Sequence, residues 1–230
     1  MLNNAYNVKV QNTYIIRIKG NPISEQLAER CAESCDKIGQ SYEFFDAVDG
    51  TGESLILPNH PILKLVKLTN TALSQSEAAC LLSHFMLWVK CAELDQPIVI
   101  LEHDAVMIQR YTMHPFFNII NYLGSIEQAT GSFAPSFPMP PHGQLNENFR
   151  FILRAHAYAI DPLIARRLIA KVITAGLFTS ADVILRIDEF AVIQDGFYAY
   201  DLPGETTITG RELKPDSYEL TEINTKVGAG

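Results

Sequence analysis

The chain has 230 residues, enough for one domain with a core of its own. Hydrophobic residues make up 47% and charged residues 19%, which excludes disordered, collagen-like and coiled-coil classes. Eighteen Lys and Arg against 26 Asp and Glu leave a net charge of -8, and no basic run occurs, opposite in sign to what a nucleic-acid backbone attracts.

No apolar run approaches the ~18 residues that a membrane-spanning helix needs. The opening MLNNAYNVKVQNTY lacks the basic stretch and long apolar run of a secretory signal. The four cysteines (Cys31, Cys35, Cys80 and Cys91) suit a reducing compartment. Their spacing fits no paired zinc knuckle, so all four read as small buried hydrophobes.

In chain order, the β-rich run Thr13 to Ile18 predicts a first strand, closed by Lys19-Gly-Asn-Pro22. A helix is expected from Ser24 to Ile38, with Leu27, Cys31, Cys35 and Ile38 at steps of three and four, Ser24 as its cap and Gly39 as its stop. Tyr42 to Val48 reads as a second strand, and strand, helix, strand predicts a parallel α/β unit. Residues 51 to 72 read as a connector. Ser74 to Glu93 is the strongest helix, with Ser74 and Glu77 forming a capping box and apolar residues nearly all round, which predicts deep burial. Pro97 to Leu101 carries the unbroken apolar run of a central parallel strand. A helix is expected over Pro115 to Leu123, then a long Pro-rich loop around 130 to 144. A strand over Phe151 to Ile160 leads to a helix from Asp161 to Ala175, with Pro162 in its first turn. Asp182 to Ile187 reads as helical, Phe190 to Gln194 as a strand, and the polar residues after Arg211 as a frayed tail.

Two segments carry chemistry. In Ile98-Val-Ile-Leu-Glu-His-Asp-Ala105 a predicted central strand ends in three ionisable residues. Glu102 and Asp104, two apart, share a strand face, with His103 on the other. Ligands of open α/β sheets bind beyond such strand ends, and two carboxylates there form a hard oxygen site for Mn²⁺ or Mg²⁺. The plain alternative is a strand running into a solvated loop. In the helix from Ser74, Ser83 and His84 interrupt apolar surroundings, and His84 shares a face with Trp88. For His84 a hydrogen-bonded structural role competes with a ligand role.

Taken together, Asp46-Ala-Val-Asp-Gly50, Leu73-Ser74-x-x-Glu77 leading to Leu82-Ser83-His84 and Leu87-Trp88, and Leu101-Glu-His-Asp-Ala105 resemble glycosyltransferase family 25. Ala157-Tyr158-Ala-Ile160, Ser180-Ala-Asp182-Val-Ile-Leu185 and Glu205-Thr-Thr-Ile208 resemble its later elements, so the resemblance spans about 13 to 210. It implies a single GT-A-type domain over 1-210, a mostly parallel central sheet flanked by helices, with a tail over 211-230. It further implies an inverting, metal-dependent transfer of galactose or glucose from a UDP-sugar to a hydroxyl of a glycan acceptor, in lipopolysaccharide biosynthesis and in the cytoplasm. Carried over, Asp104, Glu102 and His103 would hold Mn²⁺ or Mg²⁺. Glu102, Ser83, His84 and Asp49 would line the donor site, and Asp182 would be the base that takes the acceptor's proton. Asp182 also reads simply as a first-turn helix acid. The family pattern has Asp where His103 stands, and an Asn-Leu pair with an Arg-rich turn where Arg17-Ile-Lys-Gly-Asn-Pro22 stands. A catalytically inactive homologue that binds a nucleotide sugar or glycan is therefore the alternative, and a phosphohydrolase built on Glu102, His103 and Asp104 a third. The Pro-rich loop over 131 to 143 is expected to close over donor or acceptor.

Overall fold

The computed structural model describes residues 7-9, 12-50, 55-70, 73-115, 118-124, 152 and 155-201. The Pro-rich loop and the tail lie outside the described residues. The strands are β1 (Asn7–Lys9), β2 (Asn12–Arg17), β3 (Glu43–Asp46), β4 (Ile98–Leu101), β5 (Ala105–Met107), β6 (Met113–Pro115), β7 (Ile119–Tyr122), β8 (Ala157–Ile160), β9 (Ala191–Ile193) and β10 (Ala199–Asp201). The helices are α1 (Pro22–Ile38), α2 (Gln75–Leu94), α3 (Pro162–Ala175) and α4 (Ala181–Ile184), with a 3₁₀ turn at Pro61–Leu65 inside the expected connector.

The six-stranded central sheet has the order β3-β2-β4-β8-β7-β9. β2 pairs in parallel with both β3 and β4, and β7 in parallel with β9, while β8 runs antiparallel to both β4 and β7. The mostly parallel central sheet flanked by helices that the sequence leads one to expect is present, with one reversed strand inserted. Two-stranded antiparallel pairs, β1 with β6 and β5 with β10, complete the strands described.

Alternation along the strands divides the core into two layers. Tyr14, Ile16, Ile98, Ile100, Tyr158 and Ile160 face α2, α3 and α4. Ile15, Val99, Leu101, Ala157 and Ala159 face the other way, against Ala28, Cys31, Ala32 and Cys35 of α1 and the β5–β10 pair. α2 is wedged between the sheet and α3, and for that reason is apolar on nearly every side: Leu81, Phe85, Leu87 and Trp88 are fully buried. Its capping box forms as expected, Ser74 accepting from the Glu77 N–H and Glu77 from the Ser74 N–H.

Three local expectations are corrected. The cap of α1 is Asn21, whose side chain accepts from the N–H groups of Ile23 and Ser24, so Ser24 lies inside the first turn and Gly39 ends the helix in the left-handed region. The stretch expected as a helix over Pro115 to Leu123 holds strand β7. Its apolar residues repeat at helical steps, but Ile119, Ile120 and Tyr122 are β-formers that gain a ladder on both sides, and tertiary pairing overrides the local period. The strand expected over Tyr42 to Val48 is shorter, four residues, and of the stretch expected as a strand over Phe151 to Ile160 the described residues Ala155 and His156 lie outside β8.

Candidate active site

The parallel strands β3, β2 and β4 end side by side, and their carboxyl ends open into a cleft. Ile16 and Ile18 at the end of β2, Ala47, Val48 and Gly50 beyond β3, and Glu102, His103 and Asp104 beyond β4 form its floor. One wall is the amino-terminal half of α2, through Ser76, Ala79, Cys80, Ser83 and His84. This is where a sheet with parallel neighbours places ligands, because the loops that diverge from strand ends leave space. Gly50 permits the close fit of floor to wall. A Cβ there would lie 2.7 Å from the Ala79 Cβ and 2.9 Å from the Gln75 carbonyl oxygen.

The three ionisable residues leave β4 in a tight turn, the Ala105 N–H bonding to the Glu102 carbonyl at 3.1 Å. Glu102 still belongs to the ladder, since its N–H donates to the His156 carbonyl at 2.8 Å. Its side chain turns to α2, where Oε1 lies 2.9 Å from His84 Nε2. His103 turns the opposite way, as expected for a strand end, and its Nδ1 lies 3.2 Å from Ser24 Oγ on α1. Ser24 Oγ in turn accepts the Ile18 N–H at 2.8 Å, so one buried hydroxyl joins the ends of β2 and β4.

Asp104 lies between the two layers, within electrostatic reach of Cys31 and Arg30 on α1, Cys80 on α2 and Asp201 on β10. Its Oδ1 is buried and has no hydrogen-bond partner among the described residues. Burial first, and then the charge of Glu102, push its pKa up from 3.8 to about 8, with Asp201 adding to the shift. Burial also acts to raise Glu102, but the hydrogen bond from His84 and the electrostatic influence of His84, His103 and His156 outweigh it and hold its carboxyl below the usual range. His103 is held below the ordinary histidine value, by burial first and then by Arg30, against the pull of Glu102.

An orphaned carboxylate oxygen beside a second, ionised carboxylate suits a hard divalent cation, which supplies the charge that the protein withholds. A different trio, Cys80, His84 and Glu102, also brings ligand atoms within 4.8 Å of one another. Its chemistry suits a metal less well. Burial, then the nearby carboxylates, push the Cys80 thiol well above its ordinary value, and both ring nitrogens of His84 are engaged within the protein.

The other expected residues divide. Ser83 lines the cleft, but its hydroxyl donates to the Ala79 carbonyl at 2.7 Å and accepts the Val48 N–H at 2.9 Å, pinning the exit of β3 to α2. Asp49 lies between the lining residues Val48 and Gly50, bridged through its carbonyl to the Ile56 N–H at 3.0 Å. Asp182 occupies the first turn of α4, close enough to Cys80 to help raise its thiol. Arg17, which opens the segment that departs from the family pattern, is paired with Asp46 at 3.0 Å and stacked on Phe44, on the β3 edge of the sheet. Sequence reasoning missed Ser24, Arg30, Cys80, His156 and Asp201. Of these only Ser24 carried a local signal, and that signal pointed to a cap.

Two comparisons bear on these observations. A stretch of 69 residues is 41% identical to the lipooligosaccharide biosynthesis protein lic2B of Haemophilus influenzae, covering 29% of this chain and 24% of that protein. The match thus spans about a quarter of the relative's length. Residues 10–137, a range that takes in β2 through β7 and with them the acidic turn after β4, match the family described as glycosyltransferase family 25 (LPS biosynthesis protein). More than half of the chain, including the whole floor and wall of the cleft, conforms to that pattern, and the chain belongs to glycosyltransferase family 25.

Proposed function

We propose that the protein is a metal-dependent hexosyltransferase that moves galactose or glucose, with inversion, from a UDP-sugar to a hydroxyl of a lipopolysaccharide-type glycan. The observation that carries this reading is the buried, unpartnered Oδ1 of Asp104 beside Glu102, on the floor of a cleft at the ends of parallel strands.

In this reading Asp104 and Glu102 hold Mn²⁺ or Mg²⁺ within a GT-A-type fold. His103 is the third ligand, through Nε2, when Nδ1–H donates to Ser24. When bound, the cation neutralises the negative charge that grows on the departing diphosphate. Ile16, Ile18, Ala47 and Val48 offer an apolar surface to the donor, and Asp49, Ser83 and His84 border or support that surface. Inversion requires a base on the face of the sugar opposite the leaving group, and Asp182 takes the acceptor's proton.

Thermal melting against UDP and UDP-sugars, with and without Mn²⁺, tests the donor site, because a ligand of the folded state raises Tm by mass action. The expected result is a manganese-dependent rise with UDP or a UDP-sugar that Asp104→Ala abolishes. No rise with any nucleotide at millimolar concentration would overturn the reading.

One observation favours a second reading. His103 places a group without negative charge where the family pattern has a carboxylate, and the environment disfavours its protonation. An inactive homologue would bind donor and show no transfer across a broad acceptor panel, and the same protein with His103→Asp would then gain turnover.

A further inference from the structure

Three buried polar side chains in the apolar layer between α2 and the sheet have no part in the transfer chemistry above. Trp88 Nε1 lies 2.9 Å from the Tyr158 hydroxyl, and that hydroxyl lies 2.7 Å from His84 Nδ1. His84 Nε2 then meets Glu102 Oε1 at 2.9 Å. Trp88, His84 and Tyr158 are all fully buried. His84 and Tyr158 stack with ring centroids 5.7 Å apart.

The chemistry of the groups sets the direction of this chain. An indole N–H only donates, so the Tyr158 oxygen accepts from Trp88. The phenol's own proton then goes to His84 Nδ1, which must be the bare nitrogen. His84 therefore carries its proton on Nε2 and gives it to the Glu102 carboxylate. The reverse tautomer would face the Nε2 lone pair against Glu102 Oε1 and leave the Tyr158 O–H with no acceptor. Polar groups in an apolar core are tolerated only when every one is satisfied, and one orientation alone satisfies these.

We propose that Trp88, Tyr158 and His84 form a one-directional hydrogen-bond relay that positions Glu102, so that His84 acts through Glu102 and does not touch the donor. The relay runs from α2 through β8 to the end of β4, and anchors Oε1. Oε2 is left as the carboxylate oxygen with no hydrogen bond to a described residue. The inference rests on the reading of Glu102 as a group that holds the cation.

Three variants separate positioning from simple core satisfaction. His84→Gln places an amide N–H near the Nε2 position and keeps the donor to Glu102. His84→Asn places an oxygen near Nδ1, keeping the acceptor for Tyr158 and losing the donor. Tyr158→Phe breaks the relay at its centre. Mn²⁺ affinity in saturating UDP is read from the electron paramagnetic resonance of free Mn²⁺, alongside Tm. The expected result is a loss of about 10- to 100-fold in His84→Asn and Tyr158→Phe, with His84→Gln staying close to wild type. Affinities of His84→Gln and His84→Asn that fall together, in step with Tm, would overturn the proposal, as would wild-type affinity in all three. Nitrogen-15 NMR of the wild-type histidines gives a check that needs no ligand and no variant: His84 is expected protonated at Nε2, and a proton on Nδ1 overturns the relay. Wild-type protein that shows this tautomer but binds no Mn²⁺ with UDP would instead overturn the cation reading, and the positioning role with it.

Discussion

At the scale of single residues the site is governed by Asp104. Its value near 8 means that the folded, cation-free protein keeps a proton that the unfolded chain releases at about 3.8. Between those values the native state binds more protons than the unfolded one, so stability falls as pH rises through that window and levels off above it. Glu102 has the opposite sign: its lowered value contributes stability that is present at neutral pH and lost only as pH falls into the acid range. In chelator-treated protein Asp104→Asn should therefore match the wild type near pH 4 and melt progressively higher than wild type toward pH 8.5. Melting curves across that range check this, and a Tm difference that does not change with pH would contradict the assignment. The two carboxyls interact, so the measured transition belongs to the pair.

At the scale of elements, the caps show how local chemistry and packing combine. Ser74 closes α2 with a reciprocal pair of bonds to Glu77, both at a half-buried helix start. Asp161 does more at the start of α3. Its Oδ1 accepts from the Leu163 and Ile164 N–H groups at 2.8 and 2.9 Å, and its Oδ2 from the Ile119 N–H at 3.2 Å. One carboxylate thus caps a helix and ties it to β7, at 1% exposure. Loss of an ordinary cap costs about 1 kcal/mol, and each buried donor left unsatisfied costs about 1–3 kcal/mol. Asp161→Ala is expected to destabilise by about 3 kcal/mol and Ser74→Ala by about 1 kcal/mol in denaturant unfolding. Equal losses would mean that the link to β7 contributes nothing.

For the whole molecule, the three-layer arrangement determines which groups reach solvent. Cys31, Cys35 and Cys91 are fully buried in the two core layers, whereas Cys80 borders the cleft at intermediate exposure. Burial and the surrounding carboxylates hold the Cys80 thiol protonated, which slows its reaction without preventing it. A thiol reagent at pH 8 to 9 should label Cys80 slowly in the native protein, more slowly still with UDP and Mn²⁺ present, and the other three only on unfolding. Intact mass and peptide mapping read this directly. Simultaneous labelling of all four would show that the layers open as one, and labelling of Cys80 unaffected by UDP and Mn²⁺ would separate the cleft from the donor site.

Much of this was legible in the sequence, because much of it is local. The capping box of α2, the apolar run of β4 and the ionisable turn Glu102-His103-Asp104 lie within one stretch of about thirty residues, and each is readable from its own neighbours. That stretch also carries the most specific part of the family pattern. Tertiary structure decided the rest. The reversed strand β8 enters between β4 and β7 and brings Tyr158 to His84 across 74 positions of chain. α1 brings Ser24 to His103 across 79. Asp201 reaches Asp104 only because β10 pairs with β5. β7 became a strand against its own helical period for the same reason. Local sequence determines period, caps and side-chain chemistry. Strand order determines which of those side chains meet, and hydrogen bonds and charge interactions act over a few ångströms whatever the distance along the chain.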